Sequence, residues 1–162
     1  FPKHAILGLP EYGDWDRKTE RDVDVVSGMF MLVPRAVMEQ VGQLDEAFFV
    51  YSEEADWCRR IRDAGYRCVF SPAARILHLD GGSKSTEQIR SRMFVQLQKS
   101  KMIYLGKHYG WFGAFLGWAT FLGSAALRLV ISMFRPGAEG RARRRLAKAS
   151  LRYHLMRKEP VA

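Results

Sequence analysis

The spacing of hydrophobic positions changes several times along this chain, and each change marks an element. Residues 1–22 mix Pro, Gly, Asp and Arg without a lasting period, which predicts an entry loop. Over 23–33, apolar and largely β-branched residues fill both alternating sets of positions, the pattern of a strand buried inside a sheet. Gly28 interrupts that run and marks either a bulge or a place where a ligand approaches the backbone. Pro34-Arg35 opens a short helix that Gly42 closes. The aromatic run Phe48-Phe49-Val50-Tyr51 is expected to be largely packed. Ser52 can cap the next helix, whose first turn holds Glu53, Glu54 and Asp56, where the helix dipole favours negative charge. Trp57 and Ile61 share its inner face, Asp56 and Arg60 can pair on another, and Gly65 ends it. Strands over 67–70 and 75–79 follow, separated by the Ser71-Pro72 turn, with Ile76 and His78 facing the same way. Asp80-Gly81-Gly82-Ser83 is then a flexible polar loop.

Ser85 or Thr86 can cap a long helix to about Tyr109, with Ile89, Met93, Leu97 and Tyr104 as its apolar stripe and Gly110 at its end. No charge occurs over 111–127, and only Arg128 breaks the apolar run before Phe134. As one helix, 111–134 would reach ~36 Å, enough to cross a bilayer. Gly113 and Gly117 form a small-xxx-small pair suited to close helix packing. Arg135-Pro136-Gly137 breaks the run, and 141–158 is a basic amphipathic segment with Leu146, Ala149, Tyr153 and Met156 on one side. Lys99, Lys101 and Lys107 precede the apolar run, and Arg135, Arg141, Arg143, Arg144 and Arg145 follow it. Basic residues on both flanks disfavour one simple crossing. A re-entrant hairpin bent near Gly117 or Gly123, or a helix pair lying in the interface, keeps both flanks on one side. A buried helix of a larger protein is the plain alternative.

Composition narrows this picture in three ways. The 162 residues are 48% hydrophobic and 27% charged, ordinary for one folded domain or part of a larger one. The net charge of +9 calls for an anionic partner. Basic residues dominate from Arg90 onward, and only Tyr153 in the basic tail could stack on a base, so lipid headgroups are favoured over nucleic acid. The two cysteines, Cys58 and Cys68, lack metal-ligand spacing and read as buried reduced thiols of a cytosolic compartment. With no initiator Met, no signal peptide and no obvious first strand, the chain reads as cut from something longer.

Candidate chemistry gathers between Val23 and Ser83. Asp14-Trp15-Asp16 is an acid-x-acid pair that could hold a cation, but it lacks a strand end to stand on, and solvated loop charges are the simpler reading. Three carboxylates in a first turn favour helix formation and are commonly solvated. Here they come in order with an aromatic run before them, a glycine-closed helix, a strand ending at His78, and a Gly-Gly-Ser loop. Each feature places polar atoms at a sheet edge, where open α/β folds bind ligands.

In that order, the chain resembles the C-terminal half of bacterial family 2 inverting glycosyltransferases of the rhamnosyltransferase type, which have a GT-A α/β fold. The resemblance covers about 20–110. It rests on Val23-Asp24-Val25-Val26-Ser27-Gly28, Val41-Gly42-x-Leu44-Asp45-Glu46-x-Phe48-Phe49, Tyr51-x-Glu53-Glu54-x-Asp56-Trp57-Cys58-x-Arg60, Ala64-Gly65-Tyr66, Pro72-x-Ala74 and His78-x-x-Gly81-x-Ser83. Lys107-His108-Tyr109-Gly110 looks like the end of that domain. Residues 1–22 would then be an entry segment, 23–110 the acceptor-side half of the domain, 111–134 an apolar membrane-associated helix and 135–162 a basic tail.

The resemblance implies metal-dependent transfer of a sugar, with rhamnose as the family-level lean, from a nucleotide-sugar donor. The acceptor would be a hydroxyl of a cell-envelope glycan or a lipid-linked molecule, and the anomeric carbon would invert. Glu54 matches the general base, at a position where the family often has Asp. Glu53 would orient the base or the acceptor, and Asp56 would lock the helix start through Arg60 or backbone donors. Gly28, Asp45, Trp57, Arg60 and Ser83 fall at substrate-binding positions. His78 matches a histidine that in some relatives helps hold the divalent metal, Mg or Mn, whose other ligands belong to an upstream half. A satisfied histidine at a strand end is the plain reading of His78. The implied location is the cytoplasmic face of the bacterial inner membrane, against anionic lipid. Asp14-Trp15-Asp16 stands too close to Val23 to be the family's metal motif, so the chain alone is expected to bind donor weakly and to transfer nothing. Two other readings are a non-catalytic docking module and a metal-dependent hydrolase using Glu54 and His78, the latter weakened by the lack of a second nearby histidine.

Overall fold

A computed structural model of the chain describes residues 15–78 and 90–157. It divides into two compact units, Phe1–Gln43 with Trp57–His78 and Leu44–Asp56 with Leu79–Ala162. In chain order the elements are β1 (Arg21–Asp22), α1 (Arg35–Val41), α2 (Glu53–Asp63), β2 (Val69–Phe70), α3 (Arg90–Met133) and α4 (Gly137–Met156). The first turn of α2 belongs to the second unit and the rest of that helix to the first.

In the first unit, β1 pairs antiparallel with β2 in the register Arg21↔Phe70 and Asp22↔Val69. The Val23 N–H extends the pairing to the Cys68 carbonyl at 2.9 Å. Val23, Val37, Trp57, Cys58, Ile61 and Cys68 form the core, so the expected inward face of α2 is the observed one. The end of α2 is a Schellman motif: Gly65, at φ 89°, donates to the Arg62 carbonyl and Tyr66 donates to the Ile61 carbonyl. The last carbonyls of α1 would otherwise lack partners. Trp57 Nε1 donates to the Gly42 carbonyl at 2.8 Å, and the Arg60 guanidinium donates to the Val41 and Gln43 carbonyls at 2.5 and 2.6 Å. A cation at a helix C-terminus also suits the dipole.

The expected strands are largely corrected. Among the described residues 23–33, 67, 68 and 75–78 are not strand. The 23–33 stretch is not buried on both faces: Met29 and Phe30 are exposed and Leu32 is 95% exposed. Its pattern fits a central strand, but a central strand needs a neighbour on each side, and the only pairing in the described residues is the two-residue ladder of β1 and β2. Over 75–78, Ile76 is exposed and Leu77 is 84% exposed.

In the second unit, α3 is broken once, at Gly110, whose φ 65° and ψ −162° lie in a region essentially confined to glycine. The two arms fold back on each other there. A Cβ on Gly117 would stand 2.5 Å from Leu105 Cδ1 and 3.0 Å from Met102 Sδ, so Gly117 faces the first arm, and a side chain there would require those two flexible ends to shift. The small-xxx-small pair thus lies at the contact, and the bend falls at Gly110 rather than at Gly117 or Gly123. α4 packs along α3. Gln98 Oε1 accepts from Ser150 Oγ at 2.7 Å and bonds His154 Nε2 at 2.8 Å, all three side chains being buried. His154 also stacks on Phe121 at 5.6 Å, and its carbonyl accepts from Trp118 Nε1 at 3.2 Å. Val95, Ala149 and Tyr153 form the small apolar core, while Met156, expected on the same side, is exposed. The outer side of the second arm is apolar and bare: Phe112, Phe115, Leu116, Leu127, Val130 and Phe134 are exposed.

Candidate functional site

The stretch leading into α2 is tightly fixed. Asp45 Oδ1 accepts from the Ala47 N–H at 2.9 Å and its carbonyl accepts from the Phe48 N–H at 3.0 Å, which folds 45–48 into a turn and buries Phe48. Phe49, expected to pack, is 85% exposed, because the turn directs only one of the two rings inward. Ser100 Oγ, on the first arm of α3, donates to the Val50 carbonyl at 2.7 Å. Tyr51 and Ser52 then both adopt φ 69°, a left-handed pair just before the helix. Each such residue costs about 1–3 kcal/mol and persists only where its surroundings over-determine it. The Ser52 carbonyl accepts from the Asp56 N–H at 2.9 Å and starts α2.

The three carboxylates of the first turn do not share one environment. Asp56 is 0% exposed. Its Oδ1 meets Lys107 Nζ and His108 Nε2, each at 2.8 Å. Lys107 also donates to Asp45 Oδ2 at 2.6 Å, and its ammonium lies 5.9 Å from the Phe48 ring centre. Burial works against the charge on Lys107, but hydrogen bonds and attraction from Asp45 and Asp56 outweigh it and hold its pKa above the ordinary value. Glu53 and Glu54 are half-buried, and in each the Oε2 atom is out of contact with water and has no hydrogen-bond partner among the described residues. A buried acceptor left unmade costs about 1–3 kcal/mol, more when charged. Chemically, this is a pair of half-buried carboxylates with acceptor capacity in reserve.

The other expected site residues fall elsewhere. Trp57 is buried with its indole N–H on the Gly42 carbonyl, and the Arg60 guanidinium holds the end of α1, so both brace that helix end. The lock on Asp56, expected through Arg60 or backbone donors, includes Lys107 and His108, which the sequence reading had passed over as site residues. The Lys-His dipeptide before Gly110 was their only signal. Gly28 lies in an exposed turn closed by the Phe30 N–H on the Ser27 carbonyl at 3.3 Å, in place of a strand bulge. Asp16 accepts from the Lys18 N–H at 3.0 Å, while Asp14 and Ser83 lie outside the described residues. His78 is exposed. No group of three or more His, Cys, Asp or Glu side chains that could hold a metal ion occurs among the described residues, so these residues alone do not form the expected divalent-metal site. Cys58 and Cys68 are free and buried, and desolvation together with the neighbouring Cys58 pushes the Cys68 thiol up to about 11.

Over 111 residues the chain is 39% identical to the N-acetylglucosaminyl-diphospho-decaprenol L-rhamnosyltransferase of Mycobacterium tuberculosis, covering 68% of this chain and 35% of that protein. It is 38% identical over 56 residues to a rhamnosyltransferase of Escherichia coli (strain K12), covering 35% of this chain and 21% of that one. It is 43% identical over 42 residues to a low-salt glycan biosynthesis hexosyltransferase of Haloferax volcanii, covering 26% and 14%. The chain thus spans about a third of the length of the mycobacterial relative, 35%. No solved structure matches it significantly. The profile of the family described as "Glycosyltransferase like family 2" matches residues 15–97, which include α1, α2, both strands and the carboxylate turn. The chain is therefore a member of glycosyltransferase-like family 2, of the rhamnosyltransferase-like kind.

Proposed function

We propose that this chain is the acceptor-side part of an inverting glycosyltransferase, with Glu54 as its general base. In this reading Glu54 takes the proton of an acceptor hydroxyl while the hydroxyl oxygen attacks the anomeric carbon of a nucleotide-sugar. The new C–O bond forms on the face opposite the leaving nucleoside diphosphate, whose bond to the sugar breaks. Glu53 orients the acceptor, and Asp56, Trp57 and Arg60 hold the helix from behind. The observation that carries the reading is the pair of buried, partnerless Oε2 atoms on Glu53 and Glu54 at a helix start. Because these atoms are out of contact with water, an acceptor hydroxyl supplies the missing hydrogen bond only once the turn shifts to admit it, and positioned acid–base groups contribute about 10²–10⁴-fold in rate. The relatives' names favour rhamnose as the sugar and a lipid-linked N-acetylglucosaminyl diphosphate as the acceptor.

The same reading places the protein at the cytoplasmic face of the inner membrane. The exposed apolar residues of the second arm of α3, among them Phe112, Phe115, Leu116, Leu127 and Val130, would lie against lipid. Exposed Arg141, Arg143, Arg145 and Arg152 on α4 would meet anionic headgroups.

The test of the transferase reading uses the protein expressed from its complete reading frame, with a panel of nucleoside-diphosphate-rhamnose donors and N-acetylglucosaminyl-diphospho-decaprenol as probes. Glu54→Gln keeps the shape and removes the base. Turnover should fall about 10²–10⁴-fold with donor Kd unchanged. Turnover within about threefold of the parent removes Glu54 from the mechanism, and a chain that binds membranes without transferring sugar in the parent form is a docking module instead.

A further inference from the structure

We infer that Lys107 and His108 are positioning residues that set the angle of the carboxylate turn, and that they do so as one clamp on Asp56. This rests on the transferase reading given above. Asp56 is 0% exposed, and a buried carboxylate persists only when paired and hydrogen-bonded. Two consecutive residues of α3 supply that pairing, both on Oδ1 at 2.8 Å. Lys107 spans further, to Asp45 Oδ2 at 2.6 Å, so a single ammonium joins the turn that enters the helix to the first turn of the helix itself. Tyr104 lies against the His108 ring at 4.6 Å and Ser100 holds the Val50 carbonyl. Positions 100, 104, 107 and 108 recur at helical spacing, so one face of α3 grips the whole of 45–56.

The left-handed pair Tyr51–Ser52 lies between the two carboxylates that Lys107 bridges. Left-handed backbone of this kind relaxes when its surroundings stop enforcing it. Releasing either end of the bridge therefore lets Glu53 and Glu54 swing with the turn. Small displacements of a reacting group are costly: a misplacement of about 1 Å can lower the rate about 10²-fold. Among the described residues the polar partners of Lys107 and His108 are Asp45 and Asp56, so their effect on Glu53 and Glu54 passes through Asp56 and the backbone.

The experiment measures kcat, donor Kd and amide hydrogen exchange at residues 53–56 in the complete protein, with the same probes. Lys107→Met and His108→Phe should each lower kcat about 10- to 100-fold, leave donor Kd unchanged and speed exchange at 53–56. His108→Gln keeps a donor near the Nε2 position and should return kcat to within about threefold of the parent. In the Glu54→Gln background, His108→Phe should cause no further loss, since the group being positioned is already gone. The clamp is overturned if His108→Phe keeps parental kcat and exchange, if His108→Gln fails to rescue, or if the losses multiply with Glu54→Gln. If Glu54→Gln alone leaves kcat unchanged, the transferase assignment fails instead. The exchange rates at 53–56 then still decide whether the clamp exists.

Discussion

Glu54 and Asp56 stand two residues apart in one helical turn and meet opposite surroundings. Asp56 is sealed against a lysine and a histidine, whereas Glu54 keeps an oxygen without a partner. A single sequence shows three acids at a helix start and gives no means of ranking them, because the groups that separate them lie some fifty positions downstream. Removing the Asp56 charge takes from Lys107 one of its two carboxylates and leaves a neutral amide in the buried place beside His108. Asp56→Asn should therefore destabilise the fold by about 1–3 kcal/mol, read by denaturant unfolding. A surface role for Asp56 would give almost no change. The thiols were legible as buried and reduced, and their chemistry follows. With Cys68 pushed up to about 11, native protein at neutral pH should resist iodoacetamide and label only on unfolding. His154 supplies a pH test. Burial, and secondarily the Arg157 charge, hold its pKa below the ordinary value. The unfolded chain then binds a proton more readily than the fold, so stability falls as pH drops below about 6.5. His154→Gln should flatten the decline in thermal midpoint between pH 7.5 and 5.5 relative to the parent, and an unchanged slope would place the titration elsewhere.

Helix ends were the most readable elements, since glycine positions encode them locally. Gly42, Gly65 and Gly110 were all expected to terminate helices, and each has a positive φ at the end of a helix or helical arm. Strands were the least readable. The run over 23–33 has strand composition, yet composition does not provide the neighbours that a ladder needs, and the described residues pair only over β1 and β2. The apolar segment, expected over 111–134, is helical as far as Met133, the break at Gly110 stands where a helix end was expected, and the further bend considered at Gly117 or Gly123 does not occur. Which glycine bends and which packs depends on the opposite arm, which sequence spacing alone does not reveal. The difference is measurable. Gly110→Ala meets a backbone region closed to a Cβ and should cost about 1–3 kcal/mol. Gly123→Ala sits in a helix with open space around it and should be neutral or stabilising by about 0.5–1 kcal/mol. Equal effects on the thermal midpoint would contradict the hairpin.

At the level of the whole molecule, family membership implies a GT-A-like α/β fold, while the described residues are mostly helical with two short strands. The match over 15–97 ends inside the first arm of α3, so the second arm and α4 lie beyond it. There the net charge of +9 and the bare apolar side find their use in the membrane reading. Flotation on vesicles containing anionic lipid should recover the protein, and recovery should weaken with salt and with zwitterionic lipid. Leu127→Glu with Val130→Glu should abolish it without unfolding, because both side chains are exposed. Recovery unaffected by that pair would mean that another surface meets the bilayer. The central claim concerns one oxygen, and the most direct measurement is a structure of the complete protein with a non-transferable nucleotide-sugar and its acceptor. The account predicts Glu54 Oε2 at about 2.6–3.2 Å from the attacking hydroxyl. An acceptor bound in line with the anomeric carbon but out of reach of Glu54 would contradict it.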